Sequence, residues 1–298
     1  MKKISIQKAL ADKLSGLNQP VVSEYDLAVQ THQLYSAGKY QGQPLLIKKK
    51  CPETREINNA INKLSVTGIL EPLKKVRGVY KIFGKNIDSE EEVVCSINPF
   101  VYISHSSAME YHGLTDNIPR VLIYSSPDPK TWKKLAATKM ENDFKGIELE
   151  EAPHLTSISI QQFGKKKIIK HSSKHVNPGA YINIKNSALR ISSIGRTFLD
   201  MIRKPELCDG IYNIIKAYED FAEQYLDLIV DEIDRNGNKI EKVRAGYILE
   251  ERCGISNNAQ IENWKKEVQR GGSRKLDPNN EYMSKYSENW SLSINIEE

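Results

Sequence analysis

The chain has 298 residues, 39% of them hydrophobic and 27% charged, with a formal net charge of +5. That length allows two domains with a real core, and that balance excludes an intrinsically disordered chain. No apolar run approaches the roughly 18 residues of a membrane helix, and the basic start Met1-Lys2-Lys3 lacks the apolar stretch of a secretory signal, so the expectation is a cytoplasmic protein with no membrane partner.

The first helix is predicted from Ile6 to Leu17, closed by Gly16-Leu17-Asn18-Gln19-Pro20. The second opens on Ser23-Glu24-Tyr25-Asp26, a capping-box pattern, with Val22 and Leu27 spaced as a hydrophobic staple. It runs to Ala37, and Gly38 is its stop. An extended piece, Pro44 to Ile47, leads into Lys48-Lys49-Lys50, a stretch that the long joint before Pro52 assigns to a small sheet. Pro52 fits the first turn of a third helix, where its missing N–H costs nothing. In that helix Ile57, Ala60, Ile61 and Leu64 form one apolar stripe. Gly68 ends it, and Leu70–Val76 with Val79–Phe83 reads as a hairpin about Arg77-Gly78, giving the order helix, helix, helix, wing.

Residues 1–85 hold 15 Lys and Arg against 6 Asp and Glu, whereas the remainder is mildly acidic. A basic unit on an acidic body confines polyanion binding to the N-terminus. The third helix carries Thr54, Arg55, Asn58, Asn59, Asn62 and Lys63 away from its apolar stripe. Asparagine pairs bidentately with adenine and arginine with guanine in the major groove, so this face is the expected base reader. Lys48, Lys49, Lys50, Lys74, Lys75 and Arg77 suit phosphates, which position a protein without reading sequence. The plainer alternative is a solvated helix beside a charged loop.

The acidic joint Asp88-Ser89-Glu90-Glu91-Glu92 sets the expected domain boundary: a winged-helix DNA-binding domain over 1–88 and an α+β domain over 89–298. The second is read as β-rich over 89–191, helical over 192–270 and closed by strands over 271–298. Strands are predicted at Val93–Ile97, Val121–Tyr124, Ser157–Gln162, Lys167–Lys170 and Ala180–Ile184, with short helices near Ser106–His112 and Lys130–Lys139. Amphipathic helices follow around Ile211–Tyr218, Leu226–Ile233 and Val243–Tyr247, and Trp290–Ile296 reads as a closing strand.

No catalytic residues, cofactor or metal are expected. The cysteines Cys51, Cys95, Cys208 and Cys253 form no metal-ligand or redox spacing. Ser104-His105-Ser106-Ser107 with His112 lacks a nucleophile elbow and reads as a helix cap followed by a packed helix. Asp227, Asp231, Glu232 and Asp234 read as a solvated helix face, and Gly271-Gly272-Ser273-Arg274-Lys275 lacks phosphate-loop spacing. The basic run from Phe163 through Lys165, Lys166, Lys167 and Lys170 to His175 is open between two roles, a wider DNA footprint or protection of a sheet edge.

The segment from Tyr102 through Ser104-His105-Ser106-Ser107 to Pro119 resembles the hallmark stretch of AbiEi-type antitoxins of type IV abortive-infection toxin–antitoxin systems. Further matches are Ile191–Asp200 with Arg203–Ile211, Arg244–Glu250, and Gly272-Ser273 through Leu276-Asp277-Pro278 to Trp290, together spanning most of residues 70–298. The resemblance implies a repressor of its own operon that binds double-stranded promoter DNA at inverted repeats. It also implies antagonism of a co-encoded nucleotidyltransferase-like toxin without a stable complex. A free-standing, ligand-responsive winged-helix regulator is the alternative, and an enzyme that modifies the toxin is a second.

Overall fold

In the computed structural model, which describes residues 3–147, 153–164, 166–176, 178–268 and 274–297, the chain is a mixed α+β protein. The N-terminal elements are α1 (Ile6–Ser15), β1 (Val21–Ser23), α2 (Glu24–Ala37), β2 (Lys39–Tyr40), β3 (Gln43–Pro44), α3 (Thr54–Val66), β4 (Leu70–Pro72) and β5 (Val79–Ile82). The predicted capping box forms: Ser23 Oγ accepts from the Asp26 N–H at 3.1 Å, and Gly38 closes α2 in the left-handed region at φ 64°. α1, α2 and α3 pack around Leu10, Leu14, Leu27, Leu34, Ile57, Ile61 and Leu64, and an antiparallel sheet of order β1-β5-β4 covers them through Val22, Leu70 and Ile82.

Three readings of this region change. Pro52 precedes the helix cap Glu53 instead of lying in the first turn, so α3 starts two residues later. Lys48–Lys50 is not in a sheet; the joint after Gly38 is taken up by the β2–β3 hairpin and by Leu45, which is buried. Three adjacent lysines offer a sheet no apolar face. The hairpin strands are also shorter than predicted, because Lys74-Lys75 turns at Lys75, φ 67°.

The middle of the chain holds α4 (Glu90–Ile97), β6 (Tyr102–Ile103), α5 (His105–Tyr111), β7 (Val121–Pro127), α6 (Pro129–Asp143), β8 (Gln162–Phe163), β9 (Lys166–Ser173), β10 (Tyr181–Asn183) and β11 (Arg190–Ser192). Its mixed six-stranded sheet has the order β10-β11-β6-β7-β9-β8, with parallel pairings β11/β6 and β7/β9. Val93–Ile97, expected as a strand, is helical. Ser89 Oγ accepts from the Glu92 N–H at 3.1 Å, and Glu90, Glu91 and Glu92 place negative charge at the positive end of the helix. The acidic joint is therefore the start of α4. Of Ser157–Gln162 only Gln162 is in a strand; the Asn98 side chain instead clamps both backbone groups of Ile158, at 2.8 and 3.0 Å.

Helices dominate the rest: α7 (Ile194–Arg203), α8 (Ile211–Phe221), α9 (Leu226–Asn236), α10 (Lys239–Tyr247) and α11 (Ala259–Trp264), then a small hairpin of β12 (Tyr286–Ser287) and β13 (Leu292–Ser293). The predicted closing strand is thus confined to two residues. α10 runs into a π-helical turn, Ile248–Arg252, that buries Ile248 and Leu249. The bundle approaches closely where side chains are absent: a Cβ on Gly195 would stand 2.2 Å from the Leu228 carbonyl, and one on Gly246 2.0 Å from the Trp290 ring. Lys165, Gly271, Gly272 and Ser273 lie outside the described residues. Among the described residues no helix is long and apolar enough to cross a membrane.

Candidate nucleic-acid interface

The apolar stripe of α3 faces inward as its spacing requires: Ile57, Ala60, Ile61 and Leu64 are all buried. A helix anchored along one side leaves the other side to solvent. Thr54, Arg55, Asn58, Asn59, Asn62 and Lys63 are exposed, as are Lys48, Lys49 and Lys50 before α3 and Lys74, Lys75 and Arg77 between β4 and β5. The loop carrying Arg77 is tied to α2, since the Gly78 carbonyl accepts from the Glu24 N–H at 2.9 Å and Tyr80 Oη donates to Glu24 Oε1 at 3.2 Å.

The expected residues do not share one surface. Thr54, Arg55 and Asn58 line a groove with α2 and with Pro153 and His154, whereas Asn62 and Lys63 line another with Gln7, Lys8 and Ala11 of α1. Lys49 is already engaged: its ammonium donates to Glu53 at 2.5 Å and lies 3.0 Å from Glu56. The hydrogen bonds to Glu53 and Glu56 hold it above its ordinary pKa, so it would have to leave both carboxylates to meet a phosphate. Arg55 makes no hydrogen bond or ion pair among the described residues and is the freer cation. His32 and His154, both in the groove beside α3, carried no sequence signal, because neither lies in a recognisable spacing.

The serine–histidine stretch is interior. Ser104, His105, Ser106 and Ser107 are all buried. Ser104 occupies the cap of α5 but its side chain does not cap; Ser125 Oγ donates to it at 2.9 Å, and it meets His105 Nδ1 at 2.8 Å. Burial holds the His105 imidazole down to about 4, with smaller opposing effects from Asp200 and His171. Ser107 Oγ accepts from the Ile123 N–H at 2.9 Å, fastening α5 to β7, and His112 Nε2 donates to the Ser192 carbonyl at 2.7 Å.

Beneath the sheet lies a buried charge cluster. Arg196 Nε is 2.9 Å from Asp200 Oδ1 and Nη1 is 3.5 Å from Glu232, while Arg203 Nε donates to Glu241 at 2.9 Å. Burial opposes the Arg196 charge but Asp200 outweighs it, so the guanidinium titrates above its ordinary range. Glu232 therefore leaves the acidic face of α9 for the interior, while Asp227, Asp231 and Asp234 stay exposed. Such a cluster holds α7 to its neighbours, because removing one member strands a buried charge. The basic run is partly engaged, with Lys166 Nζ 3.2 Å from Glu91, and its two-residue β8 is the outer strand of the sheet.

The chain matches no protein-family model and no curated protein sequence. Among solved structures it is similar to the RV2827C protein from Mycobacterium tuberculosis, with 13% identity and a TM-score of 0.47, over 96% of this chain and 90% of that one.

Proposed function

We propose that residues 1–88 form a winged-helix unit that binds promoter DNA, with α3 in the major groove and the β4–β5 loop against the backbone. The observation that carries this reading is the combination of element order, sheet order β1-β5-β4 and an α3 whose outward face bears Arg55, Asn58, Asn59 and Asn62. Lys74, Lys75 and Arg77 supply phosphate contacts in it, and Lys48, Lys50 and Lys63 extend the basic rim.

The second half of the reading rests on the resemblance of residues 102–119 and 191–211 to AbiEi-type antitoxins: the chain represses its own operon and counters a nucleotidyltransferase-like toxin encoded beside it. No catalysis is assigned to it. A promoter reporter and co-expression with the adjacent gene test the two halves separately. Repression with growth rescue supports the antitoxin; repression without rescue favours a free-standing regulator that responds to a small molecule, a reading favoured also by the groove beside α3.

A further inference from the structure

The groove beside α3 has a volume of about 790 Å³ and lies between α2, α3 and the segment Pro153-His154. Its walls are mixed: Ala28, Ile57, Ile61 and Pro153 are apolar, and Arg55 stands among them as a cation without an ion pair. The two carboxylates in the lining are engaged elsewhere, Glu24 by the Tyr80 hydroxyl and Glu53 by Lys49. The groove's available charge is therefore positive.

His32 also lines it and is only 1% exposed. Its Nδ1 lies 3.8 Å from Cys51 Sγ, and its Nε2 has no hydrogen-bond partner among the described residues. Burial keeps the ring neutral. With the Cys51 thiol turned to Nδ1, the ring proton is on Nε2, a buried donor with no acceptor. Native interiors seldom leave such a donor empty-handed. Sites for small molecules combine apolar walls with a few polar groups of this kind.

We propose that this groove binds a small organic anion with a flat apolar body, its acid on Arg55 at the mouth and a second acceptor oxygen on His32 Nε2 at the inner end. Because Arg55 and Asn58 line the groove, an occupant also competes with DNA for α3. That consequence rests on the reading of α3 as the DNA reader; the binding site itself does not.

The test is calorimetry on the full chain without DNA, using 6-hydroxy-2-naphthoate as probe and 2-naphthoate and 2-naphthol as partial probes. One saturable site is expected, with each partial probe about fivefold weaker or more. Arg55→Gln, at an exposed position, is expected to weaken both naphthoates about fivefold and to leave 2-naphthol unchanged. On the wild type, the His32 Nε2 resonance is expected to shift on saturation with the probe, which needs no variant at the buried histidine. Absence of saturable binding, indifference to Arg55→Gln, or an unmoved His32 resonance each overturns the proposal. Binding that passes these tests but leaves duplex affinity unchanged supports the site and counts against α3 as the DNA reader.

Discussion

The Tyr25 hydroxyl donates to Asp143 Oδ2 at 2.7 Å, joining α2 of the N-terminal unit to the last residue of α6. Lys139 holds the same carboxylate at 2.9 Å, and the Tyr25 and His32 rings meet Phe144 edge-on. Val21, Val29, Val76 and Val79 share a core with Val93, Val94 and Leu122, so the N-terminal unit is docked on the body through apolar contact as well. A DNA-reading helix built on that unit is thereby fixed relative to the second half of the chain.

Tyr25→Phe keeps the ring and removes the hydrogen bond. A hydrogen bond to a charged group contributes about 1.5–3 kcal/mol, and partial exposure places this one near the lower end. The urea unfolding midpoint is expected to fall accordingly. A midpoint equal to wild type means that apolar contact alone holds the two parts together.

Gly246→Ala sets two effects against each other. Alanine favours a helix interior by about 1 kcal/mol over glycine. The new Cβ, however, meets a Trp290 ring that is fully buried and anchored by Nε1 donating to Glu250 Oε2 at 2.8 Å. Overpacking of this kind costs about 1–3 kcal/mol or more, and it wins. Gly246→Ala is expected to lower the melting temperature, and adding Trp290→Phe to recover part of the loss. A stabilised single variant contradicts the close packing of α10 on Trp290.

Acid sensitivity follows from the buried histidines. An unfolded chain protonates His105 below about 6.5, but the folded protein resists until about 4. Between those values the unfolded state binds more protons, so stability falls as pH falls, by up to about 1.4 kcal/mol per pH unit for this one group. His112, His171 and His175, all lowered by burial, act with the same sign. Urea titrations at pH 7, 6 and 5 are expected to show the decline, with a shallower slope for His105→Gln. Parallel slopes for the two proteins contradict a neutral buried His105.

Local signals survived into the structure where they were self-contained. The Ser23–Asp26 box, the Gly38 stop, the 57–60–61–64 stripe and the 211–214–215–218 face each depend on residues within two turns. Val93–Ile97 failed because five apolar residues look alike in a buried strand and a buried helix, and only the Ser89 cap decides. Ser157–Ile160 failed because a clamp from Asn98, distant in sequence, takes the backbone groups a neighbouring strand would have bonded. The exposed residues of α3 were legible from periodicity, but their division between two grooves depends on α1 and on Pro153-His154. The Arg196–Asp200 pair lies inside a stretch that carried the antitoxin resemblance, and its buried contacts give that stretch a structural reason.

The central claim is that α3 reads bases while the lysines and Arg77 grip phosphates. It is tested most directly by titrating wild type, Arg55→Ala, Asn58→Ala, Lys74→Ala and Arg77→Ala against promoter and scrambled duplexes at several salt concentrations. Arg55→Ala and Asn58→Ala are expected to lose about 1–3 kcal/mol of discrimination each, relaxing preference at defined positions. Lys74→Ala and Arg77→Ala are expected to weaken all duplexes alike and to reduce the log–log salt slope by about 0.9 per lost phosphate contact. If Arg55→Ala and Asn58→Ala leave both promoter affinity and the promoter-to-scrambled ratio unchanged, α3 does not read bases and the account is contradicted.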